Sequence, residues 1–169
     1  MFDVIIIGAG VCGASIARRL SRYKLDILIL EKENDVSMGA SKANSAIVHG
    51  GYAESGKELR GRICYPGRKS FEKLNEELNF GFLANGSLVL AFDEEDMKTL
   101  DKLYQMGLEN GLDDMEIIDQ EKLRSIEENV SDDAIGALYC KGAGVCSPYE
   151  YVIALVENAL DNGVKLELN

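Results

Sequence analysis

The amino-acid sequence predicts an α/β fold in which a parallel sheet carries an inserted α+β segment with an antiparallel hairpin. Three observations predict it. Two β-branched apolar runs, at 2–7 and 25–30, flank one helical stretch, giving strand, helix and strand in a single short unit. A glycine-rich turn joins the first run to that helix. Past residue 80 the pattern changes to short apolar runs broken by turn residues and capped helices.

The first run, Phe2-Asp3-Val4-Ile5-Ile6-Ile7, is cut off by Gly8 and reads as a strand covered on both faces. Gly10 to about Arg22 follows as a helix with Ile16, Ala17 and Leu20 inward, and the second strand ends at Glu31. From Glu33 to Tyr52 the residues are small and polar, with room for one short helix. Between Gly56 and Asn79 the spacing of Leu59, Ile63, Phe71, Leu74 and Leu78 is helical, with an interruption expected near Pro66-Gly67. Asn85-Gly86 lies between two apolar stretches and predicts a tight hairpin over 82–92. Asp93 is placed to cap a helix with Met97, Leu100, Leu103 or Tyr104, and Leu108 inward, ending near Gly111. A short strand at 116–118, a helix capped by Asp119, a strand at 134–139, a helix opened by Pro148 and a last strand at 164–168 complete the chain.

A length of 169 residues fits one domain, or one carrying a small insertion, and 46% hydrophobic with 28% charged residues excludes disordered, collagen-like and coiled-coil chains. The net charge of −11 is unevenly spread: residues 1–92 carry 12 basic and 10 acidic side chains, residues 93–169 carry 6 and 19. So acidic a surface disfavours nucleic acid as a partner, while the near-neutral first half can hold a smaller anion. Cys12, Cys64, Cys140 and Cys146 form no CxxC pair and His49 is the single histidine, so no metal site is expected. The first apolar run is too short for a membrane span, and no basic segment precedes it. The expected location is cytoplasmic, with reduced thiols; peripheral attachment of the full-length protein to a membrane is compatible with this.

Gly8-Ala9-Gly10-Val11-Cys12-Gly13 is a GxGxxG motif after a strand and at a helix start. Gly8 permits the turn, Gly10 lets a pyrophosphate approach the backbone, and Gly13 lets helix and sheet pack closely. Val11 and Cys12 lie in the same helix start, whose free N–H groups favour phosphate. Glu31, with Lys32 beside it, ends the second strand, where a carboxylate accepts ribose hydroxyls and repels a 2′-phosphate.

The segment Gly39-Ala40-Ser41-Lys42-Ala43-Asn44-Ser45-Ala46-Ile47-Val48-His49-Gly50-Gly51-Tyr52, joined to that motif, resembles the flavin-dependent oxidoreductases of the D-amino-acid-oxidase superfamily. Its SxxNSxxxHxGY pattern is most similar to the branch of FAD-dependent glycerol-3-phosphate dehydrogenases and L-2-hydroxyglutarate dehydrogenases. Asn85-Gly86-Ser87-Leu88-Val89, Gly144-Val145 and Pro148-Tyr149-Glu150 also look like that branch. The resemblance implies a Rossmann-type FAD-binding domain at 1–79 and 146–169, with 80–145 an inserted part of a substrate domain. It implies that Ser41, Asn44 and Ser45 approach the pyrophosphate and ribityl chain of FAD, with Lys42 as a counter-charge. His49 and Gly50 would lie near the isoalloxazine. His49 is a weak candidate for catalysis, a structural hydrogen bond being the alternative.

The implied reaction is oxidation of a small anionic hydroxy compound, glycerol 3-phosphate foremost and L-2-hydroxyglutarate as the alternative, with electrons passing to a quinone, oxygen or another protein. An NAD-binding module or a non-catalytic dinucleotide-binding domain is the reading from another class. Members of the resembled family continue past the strand at 164–168, so the expectation is an N-terminal fragment without turnover alone.

Overall fold

The computed structural model describes all 169 residues. In chain order its elements are β1 (Val4–Ile7), α1 (Val11–Leu20), β2 (Ile27–Glu31), β3 (Ile47–Val48), α2 (Leu59–Lys69), α3 (Phe71–Leu78) and β4 (Ser87–Ala91). There follow α4 (Glu94–Glu109), β5 (Met115–Asp119), α5 (Gln120–Ile126), β6 (Gly136–Cys140), β7 (Gly144–Val145), α6 (Pro148–Asp161) and β8 (Lys165–Leu168). Two compact units result: residues 1–46, 72–82 and 146–169 form the first, and 47–71 and 83–145 the second. The sequence groups 47–71 with the cofactor-binding part. Its contacts are instead within the second unit, because Gly51 lies against Tyr65, and Tyr65 packs with Leu112, Cys140 and Ala143.

In the first unit β1 and β8 flank β2, all parallel, with Val4 opposite Ile27 and Leu28 opposite Lys165. Strand alternation turns Ile6, Ile27 and Ile29 onto one face, where they pack with Ala14 and Ala17 of α1 and Val152, Leu155, Val156 and Ala159 of α6. Burial of Ile27 or Ile29 contributes about 1.5–3 kcal/mol each. Ile5 and Ile7 point the other way and stay 55% and 88% exposed, so β1 is not covered on both faces as its composition predicts. Similarly α1 turns Gly13, Ala14 and Ala17 inward and leaves Ile16 exposed. The small residues let helix and sheet approach, and a branched side chain there would hold them apart. Arg18 pairs with Glu77 of α3 and donates through Nε to Asn158 of α6 at 3.0 Å.

In the second unit β6 is the middle strand of an antiparallel sheet ordered β4-β6-β5, and β3 pairs with β7. Antiparallel pairing is therefore present, but Asn85-Gly86 does not close a two-residue hairpin. Leu83 exchanges backbone bonds with Val145, the Gly86 N–H donates to the Ala143 carbonyl at 2.8 Å, and β4 then joins β6. Gly86 at φ +79° makes the corner between those pairings.

Pro66 does not interrupt α2, which runs on to Lys69; the break falls at Ser70, whose hydroxyl and N–H both turn back to the Gly67 carbonyl. The buried face of α2 is Gly61, Tyr65 and Arg68, while Leu59 and Ile63 are exposed. Asp93 accepts from the N–H groups of Glu95 and Asp96, and Asp119 from Lys122, so both expected caps form. Leu108 lies outside the buried face of α4, which ends instead in Leu100 and Gly107. Residues 33–46 form turns and no helix. No helix is long and apolar enough to cross a membrane.

Candidate functional site

The turn from β1 into α1 is built as the glycine spacing requires. Gly8 takes φ +97° and donates to the Leu30 carbonyl at 2.7 Å, which anchors the turn to β2. A Cβ at Gly13 would run into the Gly8 carbonyl, and one at Gly10 would stand 3.1 Å from Ser41 Oγ. Ala14 makes the first bond inside the helix, to Gly10. The N–H groups ahead of it are those a helix start leaves open to a ligand or a side chain, and the helix dipole adds partial positive charge there. One of them, that of Val11, donates to Ser41 Oγ at 3.0 Å across 30 residues. Cys12 is exposed at the same helix start.

Glu31 stands at the end of β2 over this turn. Its Oε2 accepts from Ala9 N–H at 2.7 Å and its Oε1 from Glu33 N–H at 3.1 Å. The Ala9 bond, then the Glu33 bond, hold its carboxyl below the usual carboxylate range. Each oxygen keeps a second lone pair, so the carboxylate that ties the loop to the strand end can still receive a hydroxyl. Lys32 is exposed and pairs with Glu33.

Gly8, Gly10, Glu31, Lys32 and Ser41 all line one cleft of about 440 Å³. The cleft fits the diphosphate half of a dinucleotide: a helix start without a blocking Cβ, hydroxyl and backbone donors, and an acceptor carboxylate at its end. Ile7, Leu30, Glu33, Met38, Gly39 and Ala40 complete its walls and are absent from the predicted set. Gly39 and Ala40 carried a signal, the small-residue run; Met38 and Glu33 carried none.

Lys42, Asn44 and Ser45 are exposed and are not in that wall. Asn44 is spent on its own turn: Nδ2 donates to the Ala40 and Ser41 carbonyls, and Oδ1 accepts from Ala46 N–H at 2.9 Å. It therefore shapes the backbone that presents Ser41.

His49 and Gly50 belong to the second unit. His49 is exposed and lines a second pocket, also of about 440 Å³, with Gly51, Ala53, Glu54, Arg60 and Cys64. Arg60 pairs with Glu54 at 2.8 Å, and burial pushes the Cys64 thiol up, away from the reactive thiolate. Gly50 is buried; a Cβ on it would meet Cys140 Sγ and the Tyr52 ring at 2.7 Å. Behind this loop Arg68, almost fully buried, bridges to Asp114 at 2.8 Å and to Cys140 Sγ at 3.3 Å, with its guanidinium over the Tyr65 ring. The Cys140 thiol is raised by burial and packs as a core residue. All four cysteines are free.

The chain is 50% identical, over all of its 169 residues, to a glycerol 3-phosphate dehydrogenase of Caloramator mitchellensis, of which it covers 35%. It is 31% identical over 148 residues, 86% of the chain, to a mitochondrial L-2-hydroxyglutarate dehydrogenase of Dictyostelium discoideum, covering 33% of that protein. It thus spans about a third of the length of these curated relatives. Among solved structures, the dithionite-reduced L-α-glycerophosphate oxidase of Mycoplasma pneumoniae with FAD bound matches 99% of the chain and 44% of its own, with a TM-score of 0.90 and 27% identity. The glycine turn, the carboxylate closing β2 and this fold agree with a sequence profile that matches from residue 3 to residue 169, and the chain belongs to the FAD dependent oxidoreductase family.

Proposed function

We propose that these residues are the cofactor-binding N-terminal part of an FAD-dependent dehydrogenase acting on a small anionic hydroxy compound, glycerol 3-phosphate first. The observation that carries the cofactor reading is the cleft in which Gly8, Gly10, Glu31 and Ser41 converge. The substrate reading is supported by the 50% identity, sustained over the whole chain, to the Caloramator enzyme.

Bound FAD would supply the hydride acceptor, and the protein's work is to bind, orient and shield it. The N-terminal N–H groups of α1 and the loop Gly8–Gly13 receive the pyrophosphate, with Val11 and Cys12 contributing backbone only. Glu31 accepts from the ribose and keeps the loop closed on it through Ala9. Ser41 turns its hydroxyl to the helix start, where it donates to a phosphate oxygen while still accepting from Val11. Lys32, Lys42 and Ser45 would provide charge and polar cover along the diphosphate and ribityl chain, and Asn44 would act through the turn that presents Ser41. In this reading His49 and Gly50 would lie near the isoalloxazine, His49 as a donor or proton relay.

The electron acceptor is a quinone, oxygen or a protein, and the substrate's counter-charge comes largely from residues outside this chain, since the second half is acidic. L-2-hydroxyglutarate is the second reading, favoured by the Dictyostelium relative. Anaerobic mixing of the whole flavoprotein with each compound separates them. Bleaching of the visible flavin band by glycerol 3-phosphate, and much slower bleaching by L-2-hydroxyglutarate, is the expected result; the reverse order would transfer the assignment.

A further inference from the structure

The loop that carries His49 is held by a side chain far along the sequence. Asn110, at the C-terminal end of α4, donates from Nδ2 to the Gly51 carbonyl at 2.8 Å and to the Glu54 carbonyl at 2.7 Å, bridging 59 and 56 residues of chain. These carbonyls bracket Tyr52 and Ala53, and Gly51, Ala53 and Glu54 line the same pocket as His49. Both hydrogens of one amide group are thereby spent on the two ends of one turn.

The other half of the amide has no hydrogen-bond partner of its own. Asn110 Oδ1 is buried, and a Cβ on Gly56 would stand 2.5 Å from it. An unpaired buried acceptor costs stability and is kept where the rest of the group is needed. The helix itself does not need the side chain: α4 closes through the backbone, Asn110 N–H donating to the Met106 carbonyl at 3.0 Å. The turn is confined on its other sides as well. Gly51 adopts φ +105° with its α-carbon face 3.1 Å from the Tyr65 backbone, measured from an ideal Cβ, and an ideal Cβ on Gly107 lies 3.0 Å from Tyr52 Cβ. Of these constraints, the amide clamp is the one made by a polar side chain at both ends of the turn.

We propose that Asn110 is a positioning residue that sets the geometry of the His49 pocket through its grip on Gly51 and Glu54. Without it two carbonyls lose their donors, and Gly51, two residues from His49, becomes a pivot. The consequence for turnover rests on His49 facing the flavin, as proposed above; the clamp itself is read without the cofactor.

His49 is the single histidine, so its imidazole C–H resonances need no assignment in the 169-residue chain. At fixed pH, Asn110→Ala and Gly56→Ala are each expected to move them by more than a linewidth, the latter by displacing Oδ1. The double variant is expected to move them no further than Asn110→Ala alone, because both act on one clamp. Glu109→Ala, exposed on the same helix end, leaves them in place. Should Asn110→Ala fail to fold, Gly56→Ala reads the same contact. The proposal is overturned by folded variants whose His49 resonances superimpose on the wild type, or by an equal displacement in Glu109→Ala. Failure of the flavin reading looks different: adding FAD to the wild type would leave the His49 resonances unmoved while the clamp variants still displaced them.

Discussion

The cleft at the glycine turn and the pocket at His49 are of similar volume but are built by opposite means. The cleft is made within residues 7–41, largely from backbone groups: Gly8 and Ala9 bond the end of β2, and Val11 bonds Ser41. The pocket is lined within 49–64, yet the side chain that holds its loop is Asn110, and behind it Asp114 and Cys140 anchor Arg68 of α2. Where the backbone makes a site, the residue types are dictated by space and conformation, and a spacing motif announces them. Where distant side chains make it, no local pattern does.

That contrast can be broken or sharpened by substitution. The largest effect is expected at Gly13, where any Cβ meets the Gly8 carbonyl: Gly13→Val should cost about 4 kcal/mol and abolish dinucleotide binding, read by thermal unfolding and by ADP titration. Arg68→Ala removes one partner of a buried pair. It should cost roughly 2–3 kcal/mol, less than for a fully enclosed pair because Asp114 keeps a quarter of its side-chain area in solvent, and it should leave ADP affinity unchanged. Equal loss of ADP binding in this variant would erase the distinction between the two sites. Ser41→Ala, which strips the acceptor from Val11 N–H, should cost about 1 kcal/mol and weaken ADP binding several-fold.

The smallest effect is the pH dependence set by Glu31. Its carboxyl is lowered in the folded chain, so its contribution is full above the ordinary value of 4.5 and is lost as pH falls below it through the folded value. Acid unfolding of Glu31→Gln should therefore be flatter than that of the wild type in that window, while the two converge at lower pH.

The strand-helix-strand start, both aspartate caps and the Pro148 helix start were legible because each rests on neighbours in sequence. Exposure was not. Ile5 and Ile7 read as buried from composition, but which faces of a sheet are covered depends on what packs there. Asn85-Gly86 has the residues of a tight turn, yet β4 finds its partner in β6, some fifty residues on, and Gly86 serves as a corner. In the candidate site the glycines, Glu31 and Ser41 were readable, whereas Glu33 lines the cleft as the chain leaves β2 and Met38 because the turn at 33–41 packs back on the glycine turn, Ser37 N–H donating to the Ala9 carbonyl. Asn110 is equally invisible in sequence, one asparagine at a helix end.

The most direct test of the account is ADP titration of the isotopically labelled chain followed through backbone amide resonances. The prediction is saturable binding with shifts concentrated at Gly8–Gly13, Glu31–Glu33 and Ser41, abolished by Gly13→Val. Saturable binding that spares those amides, or that survives Gly13→Val in a folded protein, would contradict it.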